Sequence, residues 1–558
     1  MTTSCQICHE KFEVTEEEIK FLDKMSPTFA GKKFAIPAPD MCPDCRLANR
    51  TAHRNEQYMY HTTSAVSGQP LIALYSPDSQ NSKQYKIVSN EEWWSDQWDG
   101  TDFGQDFDFN RPFFEQFHEL CLKIPHVNLI QVSNENSPYT TGTGYCKNCY
   151  LINCSENCED SYYGKLIQSS RDILDSSYVY DSELCYQCFY VKKCYNCNYV
   201  SYSQNCTDCW FSENLKGCNN CFLSTNLNNK QYYFMNQPLK KDEYEAKVKE
   251  FLAAPGSVEK AQQILADLRK KRIYKYGNII NCEASTGDFL TNCKNCTDCY
   301  DVNDSMDSKY VTVGVNVKDL MDCSNMYLKP ELCYQVLGTI EVYNCLFSLF
   351  VFHSQELMYS EFCYNSQNLF GCSGLRKKKY CILNKQYTKE QYEELVPKII
   401  EHMKKTGEWG KYFPIKHSPF GYNETVAQEY IPLTREQAIA KGYHWKDPDQ
   451  KDYKPQTYVV PENIKEVKDE ILQQILACKD CGKNYRLIPQ ELKRLRALQT
   501  PVPVKCPDCR HMDRMKLRNA RKLYARKCAK CAAPIQSTFA PDRPETIYCE
   551  KCYLEAVY

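Results

Sequence analysis

Twelve of the 35 cysteines lie outside the central region and form three complete sets of paired Cys-x-x-Cys motifs. These sets limit what the two ends of the chain can fold into. They are Cys5, Cys8, Cys42 and Cys45; Cys478, Cys481, Cys506 and Cys509; and Cys528, Cys531, Cys549 and Cys552. A Cys-x-x-Cys knuckle holds two thiolates on one tight turn and leaves backbone amides free to donate to sulfur. Two knuckles complete a tetrahedral zinc site. No set leaves an open fourth position, so the expectation is three structural Zn2+ ions. Metal of this kind contributes on the order of 10–16 kcal/mol to folding, more than the short intervening segments could gain by burial.

The two ends are duplicates. Displaced by 464 positions, the segment from Met41 lies without a gap on the segment from Lys505. Cys42, Pro43, Asp44, Cys45 and Arg46 match, as do Arg50, Arg54, Asn55 and Tyr60. Each end is therefore laid out for two sites in tandem. In the N-terminal copy, however, Ser64 and Ser67 stand where the other has Cys528 and Cys531. With a four-residue insertion, Ser89 and Glu92 stand opposite Cys549 and Cys552. A serine hydroxyl stays protonated at neutral pH and is a poor zinc ligand, so this fourth site is expected to be metal-free. The adjacent Trp93, Trp94 and Trp98 are expected to supply packing in its place.

The other 23 cysteines run from Cys121 to Cys381 in a region that is itself repeated with a period near 148. Cys-Lys-Asn-Cys recurs at Cys146 and Cys293, and a tyrosine-rich strand followed by a helix recurs at Tyr232 and Tyr380. Within the first half, Cys194/Cys197, Cys206/Cys209 and Cys218/Cys221 step by twelve residues. Short β-prone runs at a fixed step suggest a β-solenoid, with two steps per coil. Cysteine stacked in successive coils packs well as a small apolar residue. Extra metal sites and redox chemistry are the alternatives, and Cys146, Cys149, Cys154 and Cys158 with Cys293, Cys296 and Cys299 are the densest candidates. They lack a ferredoxin spacing.

The expected class is thus mainly β with short helices: a duplicated Cys-rich β-solenoid flanked by zinc-ribbon or treble-clef-like modules. The segments are an N-terminal ribbon module (1–95), an acidic-aromatic strap with an amphipathic helix (96–132), a first solenoid half (133–256), a connecting helix (257–279), a second half (280–404), an extended strap (405–462) and a C-terminal tandem ribbon module (463–558).

Charge sets the two ends apart. The whole chain has formal net charge −1. From Cys478 onward there are 18 Lys and Arg against 8 Asp and Glu. Arg510, Arg514, Arg518, Lys522 and Arg526 recur at four-residue steps with Arg521 beside them, a stripe suited to phosphate. RNA, DNA or a ribonucleoprotein is therefore one candidate partner of the C-terminal module. A solvated face, or pairing with acidic groups of the same chain, is the plainer alternative. A protein partner on the tyrosine-rich solenoid face is the other candidate.

Familiar enzyme signatures are missing: there is no phosphate loop, dinucleotide fingerprint, His-Glu-x-x-His or nucleophile elbow. The ten histidines look scattered, and the nearest approach to a cluster, His53 and His61, is expected on a helix surface. Asp99, Asp102, Asp106 and Asp108, set among aromatics, suggest a docking strap before an amphipathic helix rather than a carboxylate site. The start MTTSCQICHEKF has no apolar run and no stretch of 18 apolar residues follows, so a cytoplasmic chain with reduced thiols and no membrane contact is expected.

The motifs Cys-Pro-Asp-Cys-Arg, WWSDQWD, DFDFNRPFFEQF, KKYCILNKQYTKEQYEELVPKIIEHMKKTGEWG and SPFGYNETVAQEYIPLT together resemble a Cys-rich multi-zinc-ribbon family of small uncultured bacteria, over nearly the whole chain. The resemblance implies architecture and no activity. It also implies cysteines at Ser64, Ser67, Ser89 and Glu92, where this chain departs. Such proteins are sometimes labelled coenzyme A transferases of the CaiB/BaiF type; no aspartate nucleophile can be assigned here to support that. The reading is a non-enzymatic zinc-binding scaffold contacting nucleic acid through its C-terminal module. A pure protein-interaction scaffold and a thiol redox or metal-handling protein are the rivals.

Overall fold

The computed structural model describes residues 1–316, 318–322, 324–327, 331–343, 351–447 and 453–557. Cys323 and Cys345 lie outside the described residues, as does the side chain of Cys333. The described residues are strand-rich and organised around two large open sheets, of 12 and 13 strands among them.

In the first sheet, strands such as Tyr150–Glu156, Tyr162–Gln168, Asn198–Gln204 and Trp210–Lys216 pair in parallel. One line of partners runs Thr141, Asn153, Lys165, Ser177, Phe189, Ser201, Glu213 and Thr225. Each is twelve residues beyond the last, so one step separates hydrogen-bonded neighbours, not the two steps expected. Nested inside it is a shorter rhythm that the sequence hides. Every third residue takes a left-handed backbone, as at Tyr145, Asn148, Leu151, Cys154, Asn157 and Asp160. Asn and Asp tolerate this conformation well, but Tyr and Leu do so only when packing compels them. The residue after each such corner is buried: Cys146, Cys149, Ile152, Ser155 and Cys158.

These buried positions stack at twelve-residue spacing into columns of Cys, Ser and aliphatic side chains. The Ser hydroxyls serve the column in both directions. Ser155 donates to the Asn153 carbonyl at 2.8 Å and accepts from the Ile167 amide at 3.1 Å. Ser176 repeats this with Leu174 and Cys188. Thiols donate to the equivalent carbonyls, Cys158 to Glu156 at 3.2 Å and to Ile167 at 3.0 Å. Small side chains that can satisfy a backbone group suit a core this narrow, since an unpaired buried polar group costs about 1–3 kcal/mol.

The duplication extends to how each sheet ends. Tyr233 pairs antiparallel with Pro238, and Cys381 with Gln386, 148 positions later. The Asn236 side chain accepts from the Thr225 amide at 2.7 Å and Asn384 from Ser373 at 2.9 Å. A helix then follows, Lys241–Ala253 in one half and Lys389–Thr406 in the other. The second of these has a Thr388 capping box and a left-handed Gly407 at its end, the usual start and stop.

The acidic strap docks on the second sheet, with Asp99 bound to Lys378 at 2.8 Å and Asp106 to Lys385 at 2.6 Å. Helix Phe113–Lys123 buries Phe113, Phe114, Phe117 and Leu120 against Phe370 and Tyr359. The segment 405–462, expected to run extended, instead carries short helices at Val426–Tyr430 and Arg435–Ala440 and buries Trp409, Tyr412, Phe413 and Tyr422. Apolar residues too sparse for periodicity still suffice to build core here. Among the described residues no helix is long and apolar enough to cross a membrane.

Candidate metal centres

All three cysteine sets come together, each with its four sulfurs within 4.8 Å of one another. In each, one knuckle lies on a hairpin and the other opens a helix. Cys5 follows Thr2–Ser4, while Cys42 caps helix Pro43–Thr51 and Cys45 sits in its first turn. Cys506 caps helix Pro507–Met515 in the same way. Cys528 follows Tyr524–Lys527, and Cys549 immediately precedes helix Glu550–Val557. Facing sulfurs are 3.7 Å apart in Cys8/Cys42, 3.8 Å in Cys481/Cys506 and 3.7 Å in Cys531/Cys549. Tetrahedral metal–sulfur bonds of about 2.3 Å require roughly 3.8 Å between sulfurs, so the donors fit. Burial pushes the Cys478 thiol up, but the Cys506, Cys481 and Asp480 amides outweigh it and hold it at about 6. Cys528 is likewise drawn down to about 6. Amide donors thus favour the thiolate at these two positions, while burial pushes Cys506, Cys509 and Cys552 up.

The fourth module keeps the architecture and changes the chemistry. Ser64 follows strand Tyr60–Thr63, and Ser89 caps helix Asn90–Trp94. In the centre stands the Glu92 carboxylate, which accepts from Ser64 Oγ at 2.7 Å, the Ser67 amide at 3.2 Å and the Ser89 amide at 2.8 Å. Desolvation pushes Glu92 up, yet its donors, Ser67 and Ser64 foremost, hold it at about 2. A carboxylate therefore joins the two turns where four sulfurs converge in the other modules. Trp93 is buried and donates to the Pro125 carbonyl. Arg376 donates to the Trp93 and Trp98 carbonyls at 3.1 and 2.7 Å. Glu92→Ala should loosen this module by about 1–3 kcal/mol, the cost of stranding its donors. Hydrogen exchange of the amides in Tyr60–Ala73 should accelerate accordingly.

The arginine stripe lies largely inside the molecule. Arg510 pairs with buried Asp175 and with Glu491, and Arg514 approaches the same Asp175 at 3.5 Å. Arg518 donates to the Tyr178 hydroxyl at 2.7 Å, and Arg521 pairs with Asp301 at 2.5 Å. Arg526 donates to the Ala540 carbonyl. Lys522 alone of the six is well exposed, its side chain at 57%. The expected outward phosphate track is therefore corrected: acidic and aromatic groups of the sheets face these guanidiniums, which charge spacing by itself cannot reveal.

The N-terminal module repeats the same clasp. Arg46 reaches Asp322 at 2.5 Å and Arg50 reaches it at 3.2 Å, all three side chains buried. Asp322 lies 147 positions after Asp175. Arg46 sits over the Tyr310 ring at 5.3 Å and Arg510 over Tyr163, again 147 positions apart, at 5.3 Å. These two clusters thus tie each end to the sheet farther from it in sequence, while Arg54–Cys154 and Arg521–Asp301 also tie each end to the nearer one.

The dense interior candidates do not form a quartet, because Cys154 occupies a left-handed corner and receives a hydrogen bond from Arg54 at 3.4 Å. Cys146, Cys149 and Cys158, like Cys293, Cys296 and Cys299, belong to the apolar cores. The histidine expectation is also revised. His53 is buried and His61 lies on a strand. His53, His118, His126 and His417 line one cavity of about 60 Å³ with Cys121 and Glu361. Burial pushes His53 down to about 4 and His417 to about 3, so both are neutral near pH 7. Their spread from position 53 to 417 left no local signal.

No known family model matches the chain, and no curated protein matches it.

Proposed function

We propose that the protein is a non-enzymatic scaffold: two solenoid-like halves held in a fixed relation by zinc modules that clasp them crosswise. The observation that carries this is the pair of buried Arg–Arg–Asp clusters at Asp175 and Asp322, which commits the metal-adjacent helices to internal contacts. Zinc suits the four-thiolate sets because it needs no open position and has no redox chemistry to control. The resemblance to Cys-rich multi-ribbon proteins belongs to the same reading.

With Arg510, Arg514, Arg518 and Arg521 engaged internally, a protein partner is favoured over a nucleic-acid strand. A strand would have to be held by Lys522 and other surface lysines. The test is fluorescence anisotropy with labelled single-stranded RNA and duplex DNA at low salt. The scaffold reading expects no saturable binding in the low micromolar range and no change on Lys522→Glu. Tight binding whose logarithm falls steeply with log salt would restore the nucleic-acid reading.

A further inference from the structure

The chain builds the junction between a metal module and a sheet twice, and the two copies close differently. At the first, Leu151 and Tyr163 of the first sheet meet Pro507 and Asp508 of the C-terminal module, and the space left between them is about 40 Å³. At the second, the matching residues are Asp298 and Tyr310 of the second sheet with Pro43 and Asp44 of the N-terminal module, and they line a cleft of about 860 Å³. Leu151 joins the apolar cluster beneath helix Pro489–Leu498. Asp298, 147 positions later, is a carboxylate and cannot close its junction in that way.

The other charges of the cleft are balanced. Lys309 pairs with Glu18 at 3.3 Å, Arg521 with Asp301 at 2.5 Å and Arg50 with Asp322 at 3.2 Å, and Lys522 approaches Asp44 at 3.9 Å. At the rim, exposed Lys11 and Lys441 are matched in number by exposed Glu10 and Glu13. Asp298 is the exception. Among the described residues no hydrogen bond or ion pair reaches its half-buried carboxylate. The hydroxyl of Tyr300, a residue at 8% exposure on the same cleft, is unpartnered as well. Asp298 is also the charge that acts most strongly on Tyr300.

The rest of the molecule shows what a tyrosine and a carboxylate hold when they meet. Arg46 lies over the Tyr310 ring at 5.3 Å and reaches Asp322, and Arg510 lies over Tyr163 at 5.3 Å and reaches Asp175. Arg521 lies over Tyr430 at 3.9 Å and reaches Asp301, and Arg272 lies over Tyr274 at 3.7 Å and reaches Glu213. A planar guanidinium can serve a ring face and a carboxylate together, which an ammonium does less well. Asp298 with Tyr300 is this arrangement without its arginine. Leu433 and Leu523 on the sides of the cleft suit the aliphatic stem of such a residue.

We propose that the cleft takes an arginine side chain of a partner protein, its guanidinium donating to the Asp298 carboxylate and the Tyr300 hydroxyl. This rests on the reading of the chain as a scaffold for protein partners and supplies the chemistry of one contact. The full-length, metal-loaded protein is titrated calorimetrically with acetyl-Gly-Arg-Gly-amide, with its citrulline counterpart, which keeps the shape and loses the charge, and with spermidine, a cation that is not a peptide. One equivalent of the arginine peptide is expected to bind saturably at or below about 1 mM. The citrulline peptide should bind at least about tenfold more weakly, a difference near 1.4 kcal/mol. Asp298→Asn is expected to lose about tenfold, and Asp298→Leu, which copies the sealed junction, to abolish binding. Both variants should melt as the parent does, since Leu151 already holds the left-handed backbone of Asp298, φ 50° against 52°.

No saturable binding of the arginine peptide up to about 1 mM overturns the proposal. So does equal affinity for the citrulline peptide, binding untouched by both variants, or binding of spermidine alone. The scaffold reading would survive any of these results, because it is decided by the RNA and DNA titration.

Discussion

Treatment with a strong chelator unfolds three of the four terminal modules and leaves the fourth in place. Each four-cysteine site contributes on the order of 10–16 kcal/mol when metal is bound, and the hairpins that carry the first knuckles are only two to four residues per strand. Without metal they have little core of their own. The Ser64–Glu92 module does not depend on metal, because Glu92 already closes its turns. Hydrogen exchange followed by mass spectrometry should therefore show lost protection around Cys5–Cys8, Cys478–Cys481 and Cys528–Cys531. Protection should persist at Tyr60–Thr63 and Pro70–Ala73, and in the columns of the first sheet.

Asp175→Ala should cost about 3–5 kcal/mol, the usual price of removing one partner of a buried charge cluster. Two guanidiniums, Arg510 and Arg514, would be stranded in the interior, with Glu491 left to answer for Arg510 alone. Burial already pushes Arg514 down against the attraction of Asp175, so its need for that carboxylate is acute. Loss of the clasp should release helix Pro507–Met515 from the first sheet and open Arg510 and Arg514 to trypsin. Asp322→Ala should act equivalently on Arg46 and Arg50. If only the module that lost its aspartate becomes sensitive to protease, the two clasps work independently.

The metal sites were legible because ligand chemistry imposes spacing. Two cysteines with two residues between them recur six times at the ends, and the duplicate made even the lost site visible through Ser64, Ser67, Ser89 and Glu92. The role of Glu92 as the hub in place of metal was not visible, since it depends on the Ser64 hydroxyl and two amides aimed at one point. The arginine stripe shows a different limit. Sequence gives the sign and spacing of charge but not what faces it, and Asp175 and Asp322 have no local mark. A signal was available in the paired repeats: Arg46 and Arg510 are 464 apart, and Asp322 and Asp175 are 147 apart in the opposite sense.

In the interior, the twelve-residue step was plain from cysteine, whereas the three-residue rhythm was not. Its left-handed corners are held most often by Asn and Asp, but Tyr, Leu and Phe take enough of them to break the pattern that residue preference would announce. Ser and Cys alternate freely in the columns because both are small and both can donate to a carbonyl. Cysteine there signals position rather than ligation.

Metal counting on the purified full-length protein, prepared without oxygen and without added metal, tests the central claim most directly. The account predicts three zinc ions per chain and no iron, with a fourth zinc appearing only when Ser64, Ser67, Ser89 and Glu92 are all changed to cysteine. Four or more metal ions in the unaltered chain, or iron in place of zinc, would contradict it.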